Sequence, residues 1–150
     1  MKITLKQLRP DDIDDFIHLV RLFERVFEMQ DFTMPPEPYL QNLLTREGFI
    51  VYVATHQNQV VGGLTAHVLP SYYFESSEVY LYDLAVETKF QRKGIGKKLL
   101  SALSDHCEKN NYREFFVQAD VVDAHAIEFY HATGGIAERV VHFNYPQTEG

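Results

Sequence analysis

The stretch from residue 49 to 69 constrains this chain more than any other: FIVYVAT, then HQNQ, then VVGGLTAHVL. Two runs of branched and aromatic residues stand four residues apart, and so short a link can only turn the chain back on itself. A parallel crossover needs a dozen residues or more. EVYLYDLAV (78–86) follows a loop and predicts a third strand antiparallel to the second. ITLKQL (3–8), REFFVQA (113–119) and AERVVHFNY (137–145) read as further strands. Between them, Ile13, Phe16, Ile17, Val20, Phe23 and Phe27 recur at helical spacing and predict a helix to about residue 28. QDFTMPPEP breaks it, and a short helix carrying Leu40, Leu43 and Leu44 follows. Leu99, Leu103 and Cys107 line one face of a later helix. DAHAIEFYHATGG predicts a last helix that stops at Gly134 or Gly135. The expected architecture is α/β in the broad sense (α+β): a single, mixed, mostly antiparallel sheet with flanking helices. With 150 residues and no linker or repeat, residues 1–150 read as a single domain.

Composition narrows the partners. The formal net charge is -7, which disfavours nucleic acid and anionic membranes and favours cationic ligands, although negative charge also serves solubility alone. The chain has one cysteine, Cys107, so no internal disulfide is expected and a reducing cytoplasm is the natural setting. MKITLKQLRPDD turns acidic within a dozen residues, which argues against a signal peptide or membrane span. The seven histidines show no ligand spacing, and no metal is expected.

Against that acidic background, ETKFQRKGIGKKLL (87–100) gathers Lys89, Arg92, Lys93, Lys97 and Lys98 around two glycines just before a helix. Unpaired N–H groups at a helix start carry partial positive charge, and glycine lets an anion approach the backbone. A phosphate cradle is one reading; a helix that merely begins with glycine and has a solvated basic face carries equal weight. A Walker loop would need glycine at 91 and Ser or Thr at 98, where Gln91 and Lys98 stand. A dinucleotide fingerprint would need a small residue at 99, where Leu99 stands.

DLAVETKFQRKGIGKKLL resembles the acyl-coenzyme A segment of the GNAT N-acetyltransferases, whose pattern is Gln or Arg, two residues, Gly, one residue, Gly or Ala. Gln91, Gly94 and Gly96 match it, and AIEFYHATGG resembles the family's later helix. The resemblance implies a GNAT fold with strands splayed at the acyl-CoA site and acetyl-CoA as co-substrate. Its pyrophosphate would rest on the amides of Arg92, Lys93, Gly94, Ile95, Gly96 and Lys97, beside Gln91. Its pantetheine arm would pair with Leu84, Ala85 and Val86. LFERVF (22–27), YLQNLL (39–44), VVGGLTAHVLP (60–70), YLYDLAV (80–86), VQAD (117–120) and VVHFN (140–144) are similar to type I aminoglycoside 3-N-acetyltransferases. SYYFESS (71–77) and VVDAH (121–125) depart from them. The implied activity is direct acetyl transfer to the 3-amino group of an aminoglycoside in a ternary complex, which confers antibiotic resistance. Acetylation of another small amine, such as a polyamine, and a non-catalytic CoA sensor are the competing readings.

Amine acetylation needs a base, an oxyanion donor and an acid for the thiolate. Asp83, inside an otherwise apolar strand, is the candidate base, or else a structural carboxylate paired with an N–H or an arginine. The resemblance assigns the acid to Tyr130, which by position alone reads as a core tyrosine beside Ile127. Asp120 and Asp123 are candidates for ammonium groups, with Asp123 equally suited to cap the next helix. Glu28 and Asp31, with Glu24, could extend an acidic wall. The expected partner is a small cationic amine, not nucleic acid or membrane, and oligomeric state is left open, a homodimer included.

Overall fold

The computed structural model describes residues 1–148 and divides into two compact units, the first from Met1 to Gln118 and the second from Ala119 on. In the first unit, β1 (Thr4–Gln7), β2 (Phe49–His56), β3 (Gln59–Pro70), β4 (Ser77–Val86) and β5 (Glu114–Val117) form one open sheet in chain order. The three ladders among β1, β2, β3 and β4 are antiparallel and β4–β5 is parallel, giving the mixed sheet expected. Helices α1 (Ile13–Val26) and α2 (Glu37–Thr45) precede the β2–β3 hairpin, and α3 (Ile95–Lys109) connects β4 to β5. The hairpin turns at Gln57 and Asn58, both in the left-handed region that two-residue turns require.

Adjacent residues of β2 point to opposite faces of the sheet and sort the helices between them. Val51 and Val53 join Phe16, Leu19, Leu22 and Phe23 of α1 and Leu40 and Leu44 of α2 in one core cluster. On the other face the Tyr52 hydroxyl meets Nδ1 of His106 of α3 at 3.0 Å. Leu19 and Leu22 are fully buried, each stabilising the fold by roughly 1.5–3 kcal/mol. The glycine pair of β3 makes this packing close. A Cβ on Gly63 would stand 2.5 Å from Leu19 Cδ1 and 2.8 Å from the Tyr52 carbonyl oxygen. One on Gly62 would lie 3.1 Å from the Ala85 carbonyl oxygen and 3.5 Å from Ile95 Cγ2. The two glycines thus let α1 and the start of α3 sit tightly against β3 and β4.

Helix α1 ends at Val26, two residues before the sequence-based boundary, in a Schellman turn. The Met29 N–H donates to the Glu24 carbonyl and the Glu28 N–H to that of Arg25. Helix α3 closes the same way, with Tyr112 donating to Cys107 and Asn111 to Glu108. Its apolar face is as predicted, with Leu99, Leu103 and Cys107 all buried.

The second unit holds α4 (Ala124–Ala132), which closes with Gly134 at φ +99° and the Gly135 N–H on the Tyr130 carbonyl. Here one expectation fails: residues 137–145 form no strand. A strand exists by virtue of a ladder partner, and among the described residues nothing pairs with this segment. Val140, Val141, Phe143 and Tyr145 remain exposed.

Candidate functional site

The basic turn is a cradle built from backbone. After β4 the chain makes a single 3-10 turn (Thr88–Phe90), passes Arg92 at φ +61°, and enters α3 through Gly94 at φ +81°. A side chain at Gly94 would meet no atom within 4 Å, so glycine is needed there for its dihedral angle and not for space. The first helical bond runs from the Lys98 N–H to the Gly94 carbonyl at 3.1 Å. The N–H groups of residues 92–97 therefore meet no backbone acceptor among the described residues. Two left-handed residues followed by a helix N-terminus form a concave donor array suited to a phosphate. Ile95 is buried and pins the first turn inward, while Arg92, Lys93, Lys97 and Lys98 are exposed around it.

The cradle is fastened to the sheet by contacts that motif spacing does not reveal. The Gln91 side-chain amide donates to the Val86 carbonyl at 3.0 Å. The Glu87 N–H donates to the Val61 carbonyl at 2.8 Å. The Glu87 carboxylate is paired with Arg25 of α1 at 2.7 Å, across 62 residues of sequence. Gln91 thus fixes the turn through its side chain, leaving its neighbours' amides to meet a ligand.

Beside the cradle, β4 has one free edge. Its ladder with β5 runs from the Glu78–Glu114 pair to the Leu81–Val117 pair and stops, whereas β3 pairs with β4 through Val86. Leu84, Ala85 and Val86 are therefore bound on the β3 side and, among the described residues, open on the other. This is the splay that a strand-like ligand arm requires.

A bulge sets the side chains next to that gap. Thr65 pairs with Asp83 but Ala66 pairs with Leu81, so Tyr82 is an extra residue in β4. In a regular strand Tyr82 and Asp83 would face opposite sides. The inserted residue instead puts Asp83, opposite Thr65, on the face that carries His67 and Tyr80, which are paired with each other. That face is aromatic: His67 contacts Phe49 at 5.1 Å and Tyr82 at 5.8 Å, and Tyr80 contacts Tyr82 at 5.6 Å and stacks on Phe116 at 4.9 Å. The Tyr80 hydroxyl donates to Gln118 Oε1 at 2.7 Å.

Asp83 is partly buried, and burial raises its pKa above the ordinary carboxylate value. Among the described residues it has neither an ion pair nor a hydrogen-bonded partner. Burial lowers the pKa of His67, which favours its neutral form. A basic carboxylate within an aromatic wall can take a proton from a cationic amine and hold the cation through ring faces. Splayed strands at the acyl-CoA site imply a bulge, but sequence reasoning missed His67 and the bulge's position, because a one-residue register shift leaves no mark in an apolar run.

Of the other expected residues, Tyr130, Asp123 and Asp120 belong to the second unit, and Glu28, Asp31 and Glu24 to the first. Tyr130 is half-buried in α4 of the second unit, in edge contact with Phe129 at 5.2 Å. Asp123 caps that helix, accepting from the Ala126 N–H at 3.1 Å, and Asp120 accepts from the Val122 N–H at 3.1 Å. Both aspartates are exposed and each keeps oxygen capacity for a further donor. Glu28 and Asp31 are exposed after α1, at φ +51° and +55°. Glu24 is paired with Arg21 at 2.8 Å. Cys107 is buried with its thiol pKa raised by burial, which makes it a packing residue and not a nucleophile. Among the described residues no cluster of His, Cys, Asp or Glu could hold a metal ion, and no helix is long and apolar enough to cross a membrane.

Comparison with known proteins bears on this geometry. The profile of the Acetyltransferase (GNAT) family matches residues 15–134. An aminoglycoside acetyltransferase, meta-AAC0020, from an uncultured soil metagenomic sample is 46% identical, with 97% of each chain covered and a TM-score of 0.96; it has been solved in complex with sisomicin and with trehalose. A second aminoglycoside acetyltransferase from soil, HMB0005, is 31% identical, with 99% and 100% of the chains covered and a TM-score of 0.94. The [ribosomal protein bS18]-alanine N-acetyltransferase of Escherichia coli K12 is 32% identical over 73 residues, 49% of each chain. The chain thus spans about half the length of the curated relatives it matches.

Proposed function

The chain belongs to the acetyltransferase (GNAT) family, and from that premise we propose that it transfers the acetyl group of acetyl-CoA to the 3-amino group of an aminoglycoside, giving antibiotic resistance in the cytoplasm. The observation that carries the reading is Asp83, a partly buried carboxylate with no described counter-ion, re-aimed by a bulge beside the open edge of β4. The 46% identity to an aminoglycoside acetyltransferase along 97% of the chain supports the choice of acceptor.

The cradle amides of Arg92, Lys93, Gly94, Ile95, Gly96 and Lys97 hold the pyrophosphate, and the open backbone of Leu84, Ala85 and Val86 pairs with the pantetheine arm. Acetyl-CoA supplies an activated acyl group whose carbonyl lies where a free β4 N–H can receive developing negative charge. Asp83 takes the proton from the acceptor ammonium, directly or through water, and the freed amine attacks within the ternary complex. Tyr130 returns a proton to the departing thiolate. The drug's remaining ammonium groups meet the Tyr80–Tyr82 wall, Asp120, Asp123, Glu28 and Asp31. These parts need only one copy of each residue and read as one catalytic domain with no metal.

The test is release of CoA thiol from acetyl-CoA with gentamicin, sisomicin and spermidine as acceptors, followed by mass and NMR assignment of the acetylated amine. Turnover of the drugs, with acetyl on the 3-amine, is expected. Turnover of spermidine alone would give the enzyme a different amine, and thiol release with no acceptor would leave a CoA-binding protein.

A further inference from the structure

One polar side chain on the aromatic face has no task in the reaction as described. His67 stands between Phe49 of β2 and Tyr80 of β4 in the sheet register. Its ring is tilted on Phe49 at 5.1 Å and meets Tyr82 edge to face at 5.8 Å, so aromatic neighbours cover its carbon surface. Its nitrogens are left open. Among the described residues every sealed side-chain nitrogen or oxygen has a hydrogen bond, whereas those of His67 have none and must therefore reach solvent. The residue lies two positions along β3 from Thr65, the partner of Asp83. That places it on the same face, about 7 Å along the strand. The Tyr80 hydroxyl, by contrast, is committed to Gln118 at 2.7 Å. The wall thus presents a carboxylate and, a short step away, an uncommitted imidazole.

Burial holds the His67 pKa below the ordinary histidine value, so near pH 7 the ring is uncharged, with one nitrogen donating and the other accepting. The titratable groups that share its face are Tyr80, Tyr82 and Asp83 of β4, while β2 brings Phe49, backed by Phe16 of α1. A ligand hydroxyl can answer either nitrogen. A linear polyamine cannot, because its charged nitrogens only donate and its methylenes do neither, so its binding strips water from an imidazole N–H without replacing it. We infer that His67 determines acceptor specificity: its imidazole hydrogen-bonds an uncharged oxygen of the substrate while Asp83 faces the reacting amine, which selects a polyhydroxylated amine over a linear polyamine. This rests on the reading of Asp83 as that amine's base.

Calorimetry on the full chain saturated with CoA tests this, with gentamicin and spermidine titrated into wild type, His67→Phe and His67→Gln. Phenylalanine keeps the ring contacts and removes both nitrogens, and glutamine restores an uncharged donor and acceptor. His67→Phe should weaken gentamicin binding roughly tenfold while spermidine and CoA affinities stay within about twofold. His67→Gln should recover most of the loss. An equal loss for both amines, or none for gentamicin, overturns the inference. Acidification gives a second readout. Protonated His67 adds a positive charge beside a cationic drug, so from about pH 7 to about pH 5 wild type should lose gentamicin affinity faster than His67→Gln. Asp83 titrates in both proteins and cancels from the difference, and parallel profiles also overturn the inference. Should His67→Phe misfold, the comparison with His67→Gln decides alone. A wild type that neither binds nor acetylates gentamicin defeats the proposed function and this inference together. Gentamicin bound and acetylated equally well by wild type and His67→Phe defeats only the assignment of His67.

Discussion

Asp83 ionises against its surroundings, and that has a sign that can be measured. Burial raises its pKa in the fold above the 3.8 of an unperturbed aspartate. A carboxyl group with a raised folded pKa contributes stability below the unfolded value and loses it as pH rises through the folded one. At neutral pH the ionised group therefore weakens the fold. Asp83→Asn should raise Tm at pH 7, and the difference should vanish below about pH 3.8, where both side chains are neutral. The same variant should lose activity by a factor on the order of 10²–10⁴ near pH 7 and regain part of it at alkaline pH, where free amine is available. Thermal scans with matched kinetics check this. An early-melting variant with a pH-independent loss would make Asp83 structural. Leu84, one position on, differs because its value lies in the backbone edge it leaves open, and side-chain substitution there is a packing event.

At the scale of elements, three helices end in the same hydrogen-bonded turn but with different residues at the left-handed position. Helix α4 uses Gly134, α3 uses Asn111 at φ +58°, and α1 uses Glu28 at φ +51°. Glycine and asparagine are the usual occupants, whereas a longer side chain costs about 1–2 kcal/mol. Glu28→Gly should therefore stabilise the protein by up to about 1 kcal/mol, or about 3 °C in Tm, once glycine's larger unfolded-state entropy is subtracted. Calorimetry reads the gain. If Glu28 holds an acceptor ammonium, KM for the drug rises in the same variant while that for acetyl-CoA stays put. The turn before α3 belongs to this scale as well: Gln91 and Glu87 hold it to the sheet through the Val86 and Val61 carbonyls.

For the molecule as a whole, charge is unevenly distributed. Five of the fourteen basic residues ring the cradle, and the net charge is -7. A field of that sign concentrates polycations and is screened over about 10 Å at 0.1 M salt. KM for an aminoglycoside should rise several-fold between about 0.05 and 0.5 M salt, with kcat nearly constant. Steady-state assays across salt test it, and a salt-independent KM would leave the acidic surface a matter of solubility.

What sequence alone determined here is local or periodic. The hairpin followed from a four-residue link, the helices from their apolar spacing, and the cradle from glycines placed where a helix begins, all within reach of neighbouring residues. The candidate base was legible because a carboxylate in an apolar strand is improbable without a use. Tertiary structure decided the rest, since pairing register and long-range contacts are properties of two segments and not of one. The bulge at Tyr82 turned Asp83 onto the aromatic face with His67, and the early end of the β4–β5 ladder opened Leu84 to Val86. Arg25 reached Glu87 across 62 residues. The segment 137–145 makes the same point in reverse: its pattern is that of a strand, but a strand forms only where another backbone offers its N–H and C=O groups.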